Sequence, residues 1–534
     1  MPRQIRSLPH IAATALVLAA ASHTFAQGNC FTQMATPPTG ASTKSFDFAD
    51  IDNDGDSDIV TANYNGGSVT VLRNNNSGSF TPVGDYSIGP STTGVGLGDL
   101  NGDGLRDIVA SCLGPLDNQC NCFPNGRVVV RLNLGNNAFG PPTSYPVEDE
   151  PQAVIVRDFN GDLKNDVACV SLITQVVAIF LGNGTGALTL HSTFLTGSFP
   201  IAMTTGDFDQ DGDADLVTAN YADNNVTILL NDSKGNFGAP IPYASVGGPI
   251  AVAVGDINND TIGDLAIVNS SANTVTLYFG NGDGTLSPAD TYPTGSGPSA
   301  VAFGDLNGDT FAEMVVANYS SSSLAMYVND GVGNFSPRLP YAYPAGMSPS
   351  ALLIGRCNSD TPRDIAAASY GHSKVYVLMN GAANVAVQPE PESVYRSQTA
   401  TFSVTPSGNP PYTYRWRRNG TDLANGPSVG GGTISGATAA TLTITNVGVA
   451  DGDARYSCLV SNACGSTASI AAMLTVDPRC PADFDNDGFV TGIDFDLYVQ
   501  AFEAGDMSAD FDEDGFISGV DFDLFVAAFE TFCG

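Results

Sequence analysis

The stretch Asp50-Ile51-Asp52-Asn53-Asp54-Gly55-Asp56-Ser57-Asp58 places a carboxylate at every second position. Acids at positions 1, 3, 5 and 9, with a backbone carbonyl near 7, can wrap one hard cation, and glycine at 6 permits the sharp turn. Oxygen donors in this number suit calcium. The pattern returns at Asp99, Asn101, Asp103 and Asp107, at Asp158, Asn160, Asp162 and Asp166, and at Asp207, Asp209, Asp211 and Asp215. Two further copies are Asp256, Asn258, Asp260 and Asp264, then Asp305, Asn307, Asp309 and Glu313. Gly104 and Gly212 keep the sixth position in the second and fourth copies, whereas Leu163, Thr261 and Thr310 take it in the third, fifth and sixth. A seventh copy starts at Arg356, whose guanidinium would stand in for a cation. A metal-free Asp/Asn/Gly turn accounts for any one copy. It does not account for acids kept in register at positions 1, 5 and 9 through the set.

Near the C-terminal end two acid loops follow another spacing. Asp483, Asp485, Asp487, Thr491 and Asp494 fill positions 1, 3, 5, 9 and 12 of an EF-type loop, with Gly488 at 6. Asp510, Asp512, Asp514, Ser518 and Asp521, with Gly515, repeat it 27 residues later. An amphipathic segment follows each loop, at 495–502 and 522–529, and reads as a helix.

The first set of loops needs a repeating frame. Successive copies start 49, 59, 49, 49, 49 and 51 residues apart, a period that signals a propeller or solenoid, with ten residues inserted in the second copy near Cys112 to Asn121. Each copy reads as four short strands: in the fifth these are Ala251 to Gly255, Asp264 to Asn269, Thr274 to Phe279 and a strand around Ala289 to Tyr292. No helix-period stretch interrupts residues 30–380. Seven such units predict a seven-bladed β-propeller over 27–383. The last copy lacks a fourth strand, and Cys30-Phe31-Thr32-Gln33-Met34, which resembles Asn334-Phe335-Ser336-Pro337-Arg338, is expected to supply it and close the ring.

The net charge of -35 over 534 residues suggests at first a solvated, acidic chain. Yet 24 of the 55 acids lie inside the seven loops and 14 more follow Arg479, so the charge is gathered where cations would offset it. Nothing basic invites nucleic acid. Residues 1–26, a basic start, an apolar run and Thr24-Phe25-Ala26, read as a secretory signal peptide, and no stretch is long enough for a membrane span. The ten cysteines beyond it imply an oxidising compartment, extracellular, cell-surface or periplasmic, and disulfides. Cys480 with Cys533, Cys30 with Cys357 and Cys458 with Cys464 are the expected pairs; Cys112, Cys120, Cys122 and Cys169 allow three connectivities.

The repeats, with Val301-Ala302-Phe303-Gly304-Asp305-Leu306-Asn307-Gly308-Asp309 as a typical start, resemble FG-GAP (VCBS-type) repeats of integrin alpha propellers over residues 30–381. The resemblance implies calcium between the first and second strands and a partner on the opposite face. After the stiff joint Gln388-Pro389-Glu390-Pro391, residues 384–477 resemble a bacterial immunoglobulin-like sandwich, with Trp416 as core plug, Tyr456 two residues before Cys458, and Val404 where an inter-sheet cysteine would lie. Residues 478–534 resemble a type I dockerin, which implies two calcium ions and a cohesin-like or cell-surface partner. Gly492-Ile493 and Gly519-Val520 stand where the familiar cellulosomal type has Ser or Thr pairs.

Antiparallel strands put the turns between second and third strands on the face away from the acid loops. These turns carry Asn63-Tyr64, Asn220-Tyr221 and Asn318-Tyr319, with Tyr370 in the seventh repeat. Rings with adjacent amides suit a glycan or a protein loop. His191 and His372 fall in no catalytic pattern, and Gly426-Pro427-Ser428-Val429-Gly430 matches a nucleophile elbow by spacing alone. The reading is a secreted, non-catalytic, calcium-binding adhesion or ligand-binding protein attached through its tail. The alternatives are a dockerin-borne polysaccharide lyase or hydrolase and a structural surface-layer component.

Overall fold

A computed structural model describes residues 30–34, 36–114, 125–337, 341–344, 346–358, 362–477, 482–485, 489–512 and 514–530. The signal-peptide segment, residues 115–124 with most of the ten-residue insertion and with Cys120 and Cys122, and Cys480, Cys533 and Asp487 lie outside them. The described chain is mainly β, with two α-helices near its C-terminal end.

Seven sheets are built to one plan. An inner strand such as Pro249–Gly255 pairs antiparallel with Asp264–Asn269, which pairs with Thr274–Gly280 and then Leu286–Pro293. A register slip one residue into the inner strand recurs in all seven sheets. The second strands, from Asp58–Asn63 to Asp364–Ser369, are buried at every residue, which explains their near-continuous apolar reading. Each fully buried Val, Leu or Ile there contributes about 1.5–3 kcal/mol. Fourth strands such as Leu286–Pro293 alternate between exposed and half-buried residues, as the outer edge of a sheet should.

The inner strands touch one another in sequence, and Pro349–Gly355 touches Thr43–Ala49, so the ring is closed. Phe31–Gln33 pairs with Lys374–Asn380 as the outer strand of the seventh sheet, which is the expected closure. Hydroxyls near the start of inner strands tie adjacent sheets: Thr93 Oγ1 donates to the Pro151 carbonyl at 2.7 Å, Ser299 Oγ to that of Pro349 at 2.6 Å, and Ser350 Oγ to that of Thr43 at 2.7 Å.

Residues 384–477 form a sandwich of two main sheets. Trp416 is fully buried beside Phe402, and its Nε1 donates to the Ala439 carbonyl at 2.9 Å. Tyr456 donates from its hydroxyl to the Asp451 carbonyl at 3.1 Å, the corner tie of such sandwiches. Two expected disulfides are overturned. Cys30 is bonded to Cys464, so it pairs neither with Cys357 nor leaves Cys464 for Cys458. The cause is topological: the Cys464 hairpin of the sandwich lies against the closing strand of the ring, whereas Cys357 and Cys458 are buried in the seventh sheet and the sandwich core.

Helices α1 (Gly492–Ala504) and α2 (Gly519–Glu530) pack face to face in the tail, Tyr498 stacking on Phe525 at 3.7 Å between ring centroids. Thr491 caps α1 by accepting from the Ile493 amide, with Asp494 completing a capping box.

Candidate metal loops and a tyrosine mouth

Each acid loop follows an inner strand, so all seven emerge on one face of the ring. The acid at position 9 plays one part throughout. Asp58, Asp107, Asp166, Asp215, Asp264 and Asp364 each accept the amide of loop position 2 with one oxygen and an amide at or just past the end of the third strand with the other; for Asp58 these are Ile51 at 3.0 Å and Asn74 at 2.8 Å. Asp364 keeps this clasp in the seventh repeat, where Arg356 starts the loop. Burial pushes Asp58, Asp107, Asp215 and Asp264 up to about 6 against the pull of those amides. It pushes Glu313 up to about 8.

The remaining ligand positions divide the loops. Asp50, Asp52 and Asp58, Asp207, Asp209 and Asp215, and Asp305, Asp309 and Glu313 each bring three carboxylate oxygens within 4.8 Å of one another. Among the described residues loops two, three and five form no such triple. There Asn replaces Asp at position 3, and in two of them its amide closes the loop on itself: Asn101 Nδ2 donates to Asp103 and Asn258 Nδ2 to Asp260, both at 2.9 Å. Asn160 stands at the same position of loop three, where Asp162 instead takes Lys164 at 3.0 Å. Loop six mixes the two forms, because Asn307 Nδ2 donates to Asp309 and to Glu313 at 2.9 Å.

Loops one and four carry a second mark. Oδ1 of Asp52, Asp207 and Asp209 is buried without a hydrogen-bond partner, as is Oδ1 of Asp56, an acid the spacing argument passed over as a mere carbonyl position. A buried carboxylate oxygen lacking a donor is costly unless a cation meets it. The residues therefore fit a bound divalent ion. Arg73 partly fills that place in loop one, its Nε 2.5 Å from Asp52 and its Nη2 3.0 Å from Asp54. Position 1 also holds the turn in all six loops: Asp50, Asp99, Asp158, Asp207, Asp256 and Asp305 each accept the amide of position 6 at 2.7–3.2 Å. Leu163, Thr261 and Thr310 take up positive φ of 64°, 72° and 78° there, so the turn forms without glycine at a backbone cost.

The tail brings together Asp483, Asp485 and Asp494, and again Asp510, Asp512 and Asp521. Asp510 Oδ1 is buried and unpartnered. Asp494 accepts the amides of Phe484 and Thr491 at 2.8 and 2.7 Å, and Asp521 those of Phe511 and Ser518 at the same distances. The Ser518 amide foremost holds Asp521 down to about 2.

On the opposite face three of the four expected tyrosines meet. Tyr370 lies 6.5 Å from Tyr64 and 6.4 Å from Tyr319 between ring centroids, and all three border the mouth of a central cavity. Tyr221 does not border it; it stands against Gly248. The adjacent amides are not on this face either. Asn63, Asn220, Asn269 and Asn318 are buried and bond to hydroxyls or amides of their own third strands, as Asn63 Nδ2 does with Thr70 Oγ1 at 2.8 Å. Lys44 and Gln152 also line this cavity, at inner-strand positions that gave no sequence signal. His191 faces Asn236 at 3.0 Å and His372 faces Tyr376 at 2.7 Å, while Ser428 donates to Asp451 at 2.7 Å.

These features meet known sequence families in two places. Residues 50–110, 158–218, 207–267 and 257–316 match the FG-GAP-like repeat, and residues 384–462 match the immunoglobulin domain. The chain carries FG-GAP-like repeats and an immunoglobulin-like domain. No functionally curated protein matches it. Solved structures similar to it include a functionally unknown protein from Desulfotomaculum acetoxidans DSM 771, at 15% identity and TM-score 0.42, covering 57% of this chain and 90% of that one. A protein from Lactobacillus plantarum is similar at 13% identity and TM-score 0.42, over 65% and 96% of the two chains. The titin M3 domain matches 18% of this chain and 98% of its own at 26% identity and TM-score 0.16. Among the described residues no helix is long and apolar enough to cross a membrane.

Proposed function

We propose that this is a secreted, calcium-stabilised, non-catalytic binding protein: a seven-bladed FG-GAP propeller that presents its tyrosine mouth to an extracellular glycan or protein, carried on a dockerin-like tail that attaches it to a surface or assembly through a cohesin-like partner. The observation that carries the calcium reading is the convergence of carboxylates with unpartnered buried oxygens in loops one and four. The FG-GAP-like repeat adds to it, since such loops often hold calcium. The Cys30–Cys464 bridge suits an extracellular location. For the tail, support comes from two capped loop-helix units whose acids converge in the same way.

Calcium would supply charge neutralisation and a fixed loop shape. The chain's own residues do the rest: position-9 acids hold each loop to its sheet, and Tyr64, Tyr319 and Tyr370 offer stacking faces. The test is capture of ligands from glycan and protein arrays by the full chain with and without calcium, repeated with Tyr64, Tyr319 and Tyr370 replaced by Ala. Calcium-dependent melting that persists while capture is lost is the expected result. Unchanged melting in chelator would overturn the calcium reading, and retained capture by the folded triple variant would move the ligand site elsewhere.

A further inference from the structure

Behind the tyrosine mouth the ring lines a central cavity of about 930 Å³ that is open to solvent. Its wall comes from the inner strands and is mostly aliphatic, with Ile201, Ile250, Val252 and Leu352 among its residues beside the hydroxyls of Thr93, Ser299 and Ser350. Methyl groups offer sugar hydroxyls no hydrogen-bond partners, and the hydroxyls of Thr93, Ser299 and Ser350 already donate to neighbouring strands, so a glycan gains less from the interior than from the mouth. An apolar body gains from leaving water. Cavities of roughly 300–1,000 Å³ with apolar walls and a few converging polar groups are the usual form of small-molecule sites.

Among the described residues Lys44 is the only charged side chain that lines this cavity. Its Nζ donates to Gln152 Oε1 at 2.8 Å and lies 5.6 Å from the centre of the Tyr64 ring. Glu150 acts on it electrostatically without forming an ion pair among the described residues, and burial, the larger influence, lowers the amine to about 8. The ammonium thus stays charged at neutral pH. It has three donors, and Gln152 takes one.

We propose that the ring cavity binds a small amphipathic anion, an aromatic or aliphatic body bearing one carboxylate, with the body among the inner-strand side chains and the carboxylate on Lys44 beside Tyr64. The carboxylate would accept from the free Nζ donors, a charge-assisted contact that strengthens where water is scarce. This site shares Tyr64 and the mouth with the capture of glycan or protein, but it requires only the ring and not that capture role.

The calcium-loaded full chain should be titrated calorimetrically with 4-phenylbutyrate, 4-phenylbutanol and 4-phenylbutylamine. Saturable one-site binding of the carboxylate is expected, with the alcohol weaker and the amine silent. Lys44→Gln should weaken the carboxylate by about tenfold or more, and Lys44→Arg should retain it. Equal binding of all three compounds, non-saturable heats, or an unchanged affinity in Lys44→Gln would each overturn the proposal. If Lys44→Gln fails to fold, preference for the carboxylate over the amine, kept in Lys44→Arg, decides alone. Array capture without phenylbutyrate binding would sink this site and leave the capture role standing; phenylbutyrate binding without array capture would do the reverse.

Discussion

The Ser466 amide donates to the Asn307 carbonyl at 3.0 Å, which seats a hairpin of the sandwich on the sixth acid loop of the ring. Gly308 makes that approach possible: at φ 79° it has no side chain, and a Cβ there would run into the Ser466 carbonyl. Gly308→Ala is therefore expected to lower stability by about 1–3 kcal/mol, from crowding and strain together. Calorimetry of the full chain would detect it, and an unchanged transition would mean the two domains do not hold each other in this way.

The Cys30–Cys464 bridge closes a sequence separation of 434 residues and ties the closing strand of the ring to the sandwich. Reduction, or Cys464→Ser, should cost about 2–4 kcal/mol and make the seventh sheet the first to exchange its amides. Hydrogen exchange on Lys374–Asn380 is the direct measurement. Protection equal to that of the bridged protein would show that pairing alone holds the strand.

The acid loops should differ in affinity, because Asp and Asn at position 3 do different things. Asp209→Asn is expected to remove one strongly bound ion by native mass spectrometry, whereas Asp260→Asn in loop five should leave the count unchanged. Arg73→Gln frees Asp52 and Asp54 from a guanidinium and should tighten ion binding at loop one. A weaker ion in that variant would mean that Arg73 positions the carboxylates rather than competes for them.

Chelator and acid should act in opposite senses. Asp58, Asp107, Asp215 and Asp264 have folded values near 6, above the ordinary carboxylate range near 4. Protonation thus favours the folded, ion-free state: its deficit is full above about pH 7 and fades as pH falls through 6 towards 4. With calcium present the same protons compete with the ion. The gap in melting temperature between calcium and chelator should accordingly narrow from pH 8 to pH 5; a gap that widened would contradict these environments.

Much of the ring could be read directly from the chain. The period, the closing strand and Trp416 as core plug depend on patterns that repeat or on a residue too large to place elsewhere. What failed was pairing across domains. Proximity along the repeat favours Cys357 as the partner of Cys30, and nothing local to Cys464 reveals that its hairpin faces the ring. The sequence makes surface groups of the Asn63 and Asn318 amides, yet adjacency to an exposed tyrosine says little in a strand, where neighbouring side chains point to opposite faces. Lys44 was invisible for a related reason: its importance comes from seven inner strands meeting at one axis, and no single repeat contains that axis.

The bridge also bears on how the molecule would carry mechanical load. If the tail is held and a ligand pulls on the ring, tension enters the sandwich at Ala472–Asp477, which is paired in parallel with Glu392–Tyr395 and must be sheared rather than unzipped. From there two covalent routes reach the ring, one through residue 384 and one through Cys464 to Cys30. Force is thereby shared between the end of the third strand of the seventh sheet and the start of its outermost strand, so that sheet is gripped from both sides instead of being peeled open from its edge.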